Sequence, residues 1–125
     1  MADTTPETSF VLTPAVFHIL LALAGGEMHG YAIMQEVAHD TNGTMRLGPG
    51  TLYRSIRSML AQGLIAEADA RPDPTLDDER RRYYRLTENG QHMAQAEIAR
   101  LQHIVGVAQA KPLLHIQPQP QIGGA

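Results

Sequence analysis

Residues 46–60 read RLGPGTLYRSIRSML, and this segment carries the clearest structural pattern in the chain. Pro49 stands where its missing N–H costs nothing if it begins a helix. Apolar residues then recur at the spacing of a helix with one buried face, at Leu52, Ile56, Met59 and Leu60. The sequence therefore predicts an amphipathic helix over 46–60.

The opposite face of this helix has the side chains that a DNA groove requires. It carries Thr51, Arg54 and Ser58, with Arg57 at its edge and no acidic residue. Arginine binds phosphates and guanine edges, and hydroxyl side chains bind phosphates. The free N–H groups of a first helical turn add another phosphate site. The alternative is an ordinary amphipathic helix whose arginines are solvated.

Composition restricts the class of protein. At 125 residues, with 43% hydrophobic and 18% charged residues, the chain is predicted to be one globular domain with a modest core. No apolar run approaches the roughly 20 residues of a membrane helix, and residues 1–7 do not resemble a signal peptide. The 0 cysteines exclude disulfides and cysteine-ligated zinc. We therefore expect a cytoplasmic protein without membrane contact.

The basic residues are concentrated in one part of an acidic chain. The net charge is −3, but residues 46–85 hold 8 of the 10 basic residues and 6 of the 13 acids, which leaves this segment at +2 and the rest at −5. A local basic patch on an acidic body suits a DNA-binding protein whose non-specific affinity is low.

The flanking sequence predicts two helices before this segment and a hairpin after it. Thr13 and Pro14 are typical of a helix start, and Met45 and Leu47 alternate with polar residues as in a short edge strand. The predicted helices cover 15–24 and 31–40, and the predicted strands cover 64–69 and 82–86. This is the order of a winged helix-turn-helix, so the expected fold class is mainly α with a β-hairpin.

The last predicted helix, capped by Thr87 and running over 87–108, has the spacing of a dimerisation helix. Ala94, Ile98, Leu101, Val105 and Ala108 form a heptad-like seam, which Met93 and Ile104 widen. The helix at 15–24 is also more apolar than a small domain can bury. We therefore predict a homodimer with interface residues Phe17, Leu20, Ile98, Leu101 and Val105. The alternative is a long helix that covers its own core.

Four segments are therefore expected along the chain. A flexible N-terminal arm at 1–12 precedes a winged helix DNA-binding domain at 13–86. The dimerisation helix at 87–108 is followed by a disordered tail at 109–125, which is rich in Gln, Pro and Gly.

The tip of the predicted hairpin joins three acids, at 77–79, to three arginines. Arg80, Arg81 and Arg82 have the charge to reach flanking phosphates or a minor groove, although strand alternation prevents all three from pointing the same way. The acids are expected to hold some of these arginines when DNA is absent. The alternative is a solvated hairpin tip.

Catalysis and metal binding have little support in the sequence. The 6 histidines have no cysteine beside them, and His92 and His103 lie about three helical turns apart, too far to share a metal. Hydrolase, nucleotide-binding and metalloprotease motifs are absent. We expect neither enzyme activity nor a cofactor nor a metal site.

Five blocks of the sequence resemble the PadR family of bacterial transcriptional regulators. The resemblance covers about residues 10–108, and the histidine-glycine-tyrosine and Pro-Gly-Thr-Leu-Tyr blocks are its most specific parts. The blocks are FHILLAL at 17–23, MHGYAI at 28–33, LGPGTLY at 47–53, GLI at 63–65 and RYYRLTENG at 82–90.

The resemblance implies a winged helix domain, a homodimer formed through the C-terminal helix, and repression at palindromic operators in double-stranded DNA. The single C-terminal helix is similar to that of the short members of the family. The resemblance implies DNA contacts at Tyr31, Thr51, Tyr53, Arg54 and Arg57, and at Arg80, Arg81 and Arg82 of the wing. The pattern of the third helix adds Gly50 in its first turn and Ser58 on its outer face to the predicted DNA-binding residues.

A small apolar or aromatic effector is also expected, in an apolar space between the subunits. The first and last helices carry more apolar surface than one small domain uses, which favours Phe17, Met93 and Ile104 as its lining. Some short relatives bind aromatic drugs between tryptophans, but this chain has 0 Trp. The alternative is that side chains fill this space and no effector exists.

A different class of function stays open at this point, a winged helix that serves as a protein-protein interaction module without direct DNA binding. Such a module would expose apolar or aromatic groups on its third helix. This helix instead offers Thr51, Arg54 and Ser58.

Overall fold

The computed structural model describes residues 12–68 and 82–115, which form a mainly helical fold with a small sheet. The predicted fold class, a winged helix-turn-helix that is mainly α with a β-hairpin, is confirmed. The elements are α1 (Pro14–Ala24), β1 (Met28–His29), α2 (Gly30–Asp40), α3 (Pro49–Ala61), β2 (Ile65–Glu67), β3 (Tyr83–Leu86) and α4 (Glu88–Gln109).

Helices α1, α2 and α3 form the core because each buries one apolar face. Thr13 starts α1, since its Oγ1 accepts a hydrogen bond from the Val16 N–H at 3.1 Å. Helix α1 does not bury all of its apolar side chains in this core, since Phe17 and Leu21 are only half-buried. The largest fully buried side chains are Ile19, Leu20, Ile33, Val37, Leu52, Ile56 and Met59.

The sheet has three antiparallel strands in the order β1-β3-β2. Strand β3 is central: Tyr84 lies opposite Met28 of β1 on one side and opposite Glu67 of β2 on the other. Strands β2 and β3 are the base of the predicted hairpin, which we call the wing. Its connecting loop lies outside the described residues.

The edge strand predicted at Met45 and Leu47 is wrong, and the third strand lies at Met28–His29 instead. Met45 and Leu47 are half-buried and pack against the core from the loop between α2 and α3. The Met45 N–H donates to Oγ1 of Thr41 at 3.1 Å, within the turn that follows α2. Because the Met45 N–H is used in this hydrogen bond, it does not pair with a neighbouring strand.

Helix α4 begins against the end of α3. The Thr87 side chain accepts a hydrogen bond from the Gly90 N–H at 3.1 Å and donates one to the Gly63 carbonyl at 2.6 Å. Residues up to Ala94 form one compact unit and those from Gln95 form another. The division between these units therefore lies inside α4, and the segment boundary predicted between residues 86 and 87 stays a prediction.

The predicted C-terminal tail begins with regular structure. Gln109 is the last residue of α4, and a turn follows in which the Leu114 N–H donates to the Lys111 carbonyl at 3.2 Å. The remainder of the tail and the N-terminal arm at 1–11 lie outside the described residues. Within 12–68 and 82–115, no helix has the length and apolar character that a bilayer span requires.

Candidate nucleic-acid interface

Helix α3 has a buried apolar face and an exposed polar face. Leu52, Ile56 and Met59 are at most 1% exposed. Thr51, Arg54, Arg57 and Ser58 are all exposed, and we call this set the recognition face. The apolar and polar faces of α3 therefore lie as the sequence pattern predicted. Both arginines of the helix are accessible to solvent.

The first turn of α3 adds exposed backbone donors beside the recognition face. The N-cap residue is Gly48, which has no side chain to cap the helix, and Pro49 follows it. The first intrahelical bond runs from the Leu52 N–H to the Gly48 carbonyl at 2.9 Å. The N–H groups of Gly50 and Thr51 precede that bond, so they are oriented to receive an anion at the positive end of the helix.

Tyr53, for which a DNA contact was predicted, also packs against the core. Its ring is half-buried against the core, and its hydroxyl contacts the Cα region of Gly30 at the start of α2. A Cβ at residue 30 would lie only 2.9 Å from Tyr53 Cζ. Tyr53 therefore holds α3 against α2, and the DNA contact predicted for it stays a prediction.

The start of α2 connects the helix-turn-helix to the sheet through His29. Nδ1 of His29 accepts a hydrogen bond from the Ala32 N–H at 3.2 Å and thereby caps α2. Its ring meets Tyr83 of β3 edge to face, with centroids 5.4 Å apart. Tyr31, the second residue of α2, is 58% exposed. The sequence showed that a helix begins near His29 but not that the imidazole caps it.

Replacing His29 with alanine is expected to lower the free energy of unfolding by about 1–2 kcal/mol, because the N-cap acceptor and the ring contact are both lost. His29→Asn supplies another acceptor and should recover part of this loss. Urea unfolding followed by circular dichroism compares the variants. Equal stabilities of the Ala and Asn variants would show that the cap contributes nothing.

The base of the wing carries an ion pair. Nη1 of Arg82 lies 3.0 Å from Oε2 and 3.3 Å from Oε1 of Glu67, which is the last residue of β2. Arg82 therefore pairs with an acid of the facing strand, whereas the pairing predicted for the acids at 77–79 lies outside the described residues. Arg80 and Arg81 lie outside the described residues. Glu67 was missed because cross-strand contacts depend on the register.

A cavity of about 430 Å³ lies between α3 and the wing, and we call it the α3–wing cavity. Its lining combines an apolar part with two arginines and one carboxylate. The lining residues are Tyr53, Ile56, Arg57, Leu60, Glu67, Arg82 and Tyr84. Arg57, at the edge of the recognition face, therefore shares a concave surface with the base of the wing.

Comparison with known proteins identifies the family. The sequence matches the transcriptional regulator PadR-like family over residues 19–96, which is more than half of the chain. The chain belongs to the PadR-like family. Members of this family are transcription regulators and not enzymes, so this PadR-like protein is a transcriptional regulator.

Solved structures support the same fold. A transcriptional regulator from Clostridium thermocellum is 24% identical, with a TM-score of 0.61 over 74% of this chain and 86% of that chain. A PadR family transcription regulator from Clostridium difficile R20291 is 21% identical, with a TM-score of 0.62 over 78% and 96%. The circadian clock associated protein Pex from anabaena is 26% identical, with a TM-score of 0.54 over 74% and 78%. No curated protein matches the chain.

The PadR-like protein exposes an apolar stripe on α4. Ile98, Leu101 and Val105, three of the predicted interface residues, are between 38% and 49% exposed. Leu20 is wrong as an interface residue, because its side chain is completely buried in the core of its own subunit. Phe17 is half-buried and meets the His18 ring edge to face at 5.8 Å.

The predicted effector residues of the PadR-like protein divide between the two compact units. Phe17 and Met93 are half-buried in the first unit, and Met93 packs against the core. Ile104 belongs to the second unit and is exposed. An effector space lined by these residues stays a prediction. Within the described ranges, no three His, Asp or Glu side chains are grouped as metal ligands.

Proposed function

We propose that this PadR-like protein is a homodimeric, cytoplasmic repressor that binds a palindromic operator in double-stranded DNA and is released by a small-molecule effector. The observation that carries the proposal is the recognition face of α3. That face presents two exposed arginines and two exposed hydroxyl residues on a helix without acids. These are the side chains that contact phosphates and base edges.

In this proposal, α3 enters the major groove and the wing lies on the adjacent backbone or minor groove. Arg54 lies centrally on the recognition face and reads a base edge. Arg82 and the two arginines before it act on phosphates. The N–H groups of Gly50 and Thr51 bind a phosphate at the positive end of α3, and exposed Tyr31 lies at the start of α2 near the backbone.

The dimer in this proposal forms through α4. The exposed side chains of Ile98, Leu101 and Val105 recur at heptad-like spacing, which supports pairing with a second copy of the helix. Two copies of α3 then contact two half-sites about one turn of DNA apart, 10–10.5 bp from centre to centre. A palindromic operator follows from this two-fold symmetry.

The effector is expected to be a small apolar or aromatic molecule bound between the subunits, near Phe17, Met93 and Ile104. Its binding would favour a dimer whose two α3 helices no longer match the spacing of the half-sites. A screen of aromatic acids and cationic drugs for compounds that weaken operator binding tests the proposed release by an effector. If no compound weakens binding, the protein is a repressor controlled by its own abundance.

Replacing Arg54 with alanine tests the DNA-binding function. Selection from a random duplex library first identifies the operator. Arg54→Ala is then expected to lose about 1–3 kcal/mol of binding free energy on the operator and less on a scrambled duplex, because a base contact is removed. Arg100→Ala removes an equal charge from α4 and should change binding on either duplex by less than about twofold.

The two duplexes separate the possible roles of Arg54. Equal losses on operator and scrambled DNA would make Arg54 a phosphate contact. Selection that enriches no sequence, together with unchanged binding by Arg54→Ala, would reject DNA binding through α3 and leave an interaction module.

A further inference from the structure

The α3–wing cavity lies between the two elements that the proposed function assigns to DNA. Arg57 on α3 and Arg82 at the base of the wing both line it, and so does Glu67. A groove between a helix in the major groove and a wing beside it lies over the phosphate backbone. Two cations therefore line one concave surface, and one of them, Arg82, pairs with the Glu67 carboxylate.

The Arg82–Glu67 pair has the character of an exchangeable contact. The guanidinium meets both carboxylate oxygens, at 3.0 and 3.3 Å, but the two side chains are 44% and 41% exposed. Ion pairs this open to solvent contribute little to stability. A phosphodiester has the same charge as the carboxylate and likewise offers two oxygens that accept hydrogen bonds from one guanidinium, so it can replace Glu67 at Arg82.

The remaining lining suits the group attached to a phosphate. Ile56, Leu60 and Tyr84 give the cavity an apolar part, and deoxyribose presents C–H groups on either side of each phosphate. The volume of about 430 Å³ exceeds that of a phosphate alone and leaves room for an adjoining sugar. A free inorganic anion would leave this apolar part unused, which favours a duplex backbone as the occupant.

We propose that Glu67 is an internal competitor of DNA: it holds Arg82 at the α3–wing cavity until a backbone phosphate enters between Arg57 and Arg82. The inference rests on the proposed function and adds a residue that acts against binding. Since every duplex offers the same phosphates, Glu67 lowers the affinity for all DNA sequences. It does not change the preference among them.

Glu67→Gln tests this competition, with Glu97→Gln as the matched control. Glu97 on α4 also pairs with an arginine, because Nε of Arg100 donates to its Oε1 at 2.8 Å. That hydrogen bond lowers the pKa of the Glu97 carboxyl below its ordinary value. Both substitutions remove one charged partner from an arginine and change the net charge of the chain equally. Of these two glutamates, Glu67 is the one among the residues that line the cavity.

The measurement is the dissociation constant for a random-sequence 20-bp duplex at about 0.1 M salt, by fluorescence anisotropy. Glu67→Gln should bind about 3–10-fold tighter than wild type, because the competing carboxylate and its repulsion of phosphate are both removed. Glu97→Gln should stay within about twofold. The ratio of operator to random affinity should be unchanged in both variants.

Arg82→Gln distinguishes exchange at Arg82 from a general effect of charge. The gain from Glu67→Gln should shrink in the Arg82→Gln background, because the arginine that the carboxylate held is gone. An equal gain in both backgrounds, or equal effects of Glu67→Gln and Glu97→Gln, would overturn the inference. Weaker binding by Glu67→Gln would also overturn it, since Glu67 would then orient Arg82 toward DNA.

The outcome for wild type separates this inference from the proposed function. If wild type binds duplex and Glu67→Gln binds no tighter, the competitor role alone is rejected. If wild type binds no duplex at any salt concentration, the proposed function is rejected together with it. Replacing chloride by inorganic phosphate at equal ionic strength should leave the difference between the variants in place. Loss of that difference would assign the cavity to a free anion instead.

Discussion

Replacing Gly90 with alanine is expected to lower the free energy of unfolding by about 3 kcal/mol, because no space exists for a Cβ at this position. The added atom would overlap the carbonyl oxygen of Leu64 and lie 2.7 Å from Cδ1 of Leu86. The Leu64 backbone cannot yield easily, since its N–H donates to the Met59 carbonyl at 2.9 Å and its carbonyl accepts from the Thr87 N–H at 3.1 Å. Urea unfolding followed by circular dichroism measures the loss.

Gly106→Ala is the matched control on the same helix. Nothing lies within 4 Å of a Cβ built at Gly106, so alanine there should raise stability by about 0.5–1 kcal/mol through its better helix propensity. Opposite signs for the two glycines are the expected result. A Gly90→Ala variant as stable as wild type would mean that the first turn of α4 does not pack on Leu64 in solution.

Replacing Ile98 or Leu101 with glutamate is expected to dissociate the proposed dimer at micromolar concentration. Both side chains are apolar and nearly 40% exposed within the described part of the chain, and the proposed partner subunit would bury them. An unpaired carboxylate in that interface would cost several kcal/mol. Light scattering at about 10 µM protein should give the mass of two subunits for wild type and of one for either variant.

Ala99→Glu controls for added charge on α4. Ala99 is exposed and lies off the stripe formed by Ile98, Leu101 and Val105, so its variant should keep the mass of two subunits. Dissociation of all three variants would point to general charge repulsion between helices. A wild type with the mass of one subunit would remove α4 as a dimerisation helix.

Elements with a long repeated pattern could be predicted from the sequence. Helix α3 has an apolar face and a polar face that differ at every turn, so its burial and exposure follow from the spacing alone. Helix α1 has a threonine and proline that fix its start. The recognition face could be predicted for the same reason, because a side chain on a regular helix has a direction set by its number.

Features that depend on contacts between distant residues could not be predicted. Strand β1 has two residues, too few for any periodicity, and it forms because Met28 and His29 lie beside β3. The packing of Tyr53 on Gly30 is a contact of this kind, because the missing side chain of Gly30 leaves space that the ring fills. The Arg82–Glu67 pair depends on the register of the strands. The burial of Leu20 was also not predictable, because an apolar helix pattern does not distinguish the core of the subunit from an interface between subunits.

The position of β1 in the sheet has a mechanical consequence. His29 is paired to Tyr83 of the central strand and also caps α2, so the residue that starts the helix-turn-helix is part of the sheet that carries the wing. In the proposed complex, a rotation of the wing on DNA therefore carries the start of α2 with it. Under that proposal, docking of the wing and insertion of α3 are one cooperative event, and a complex held by either element alone should not accumulate.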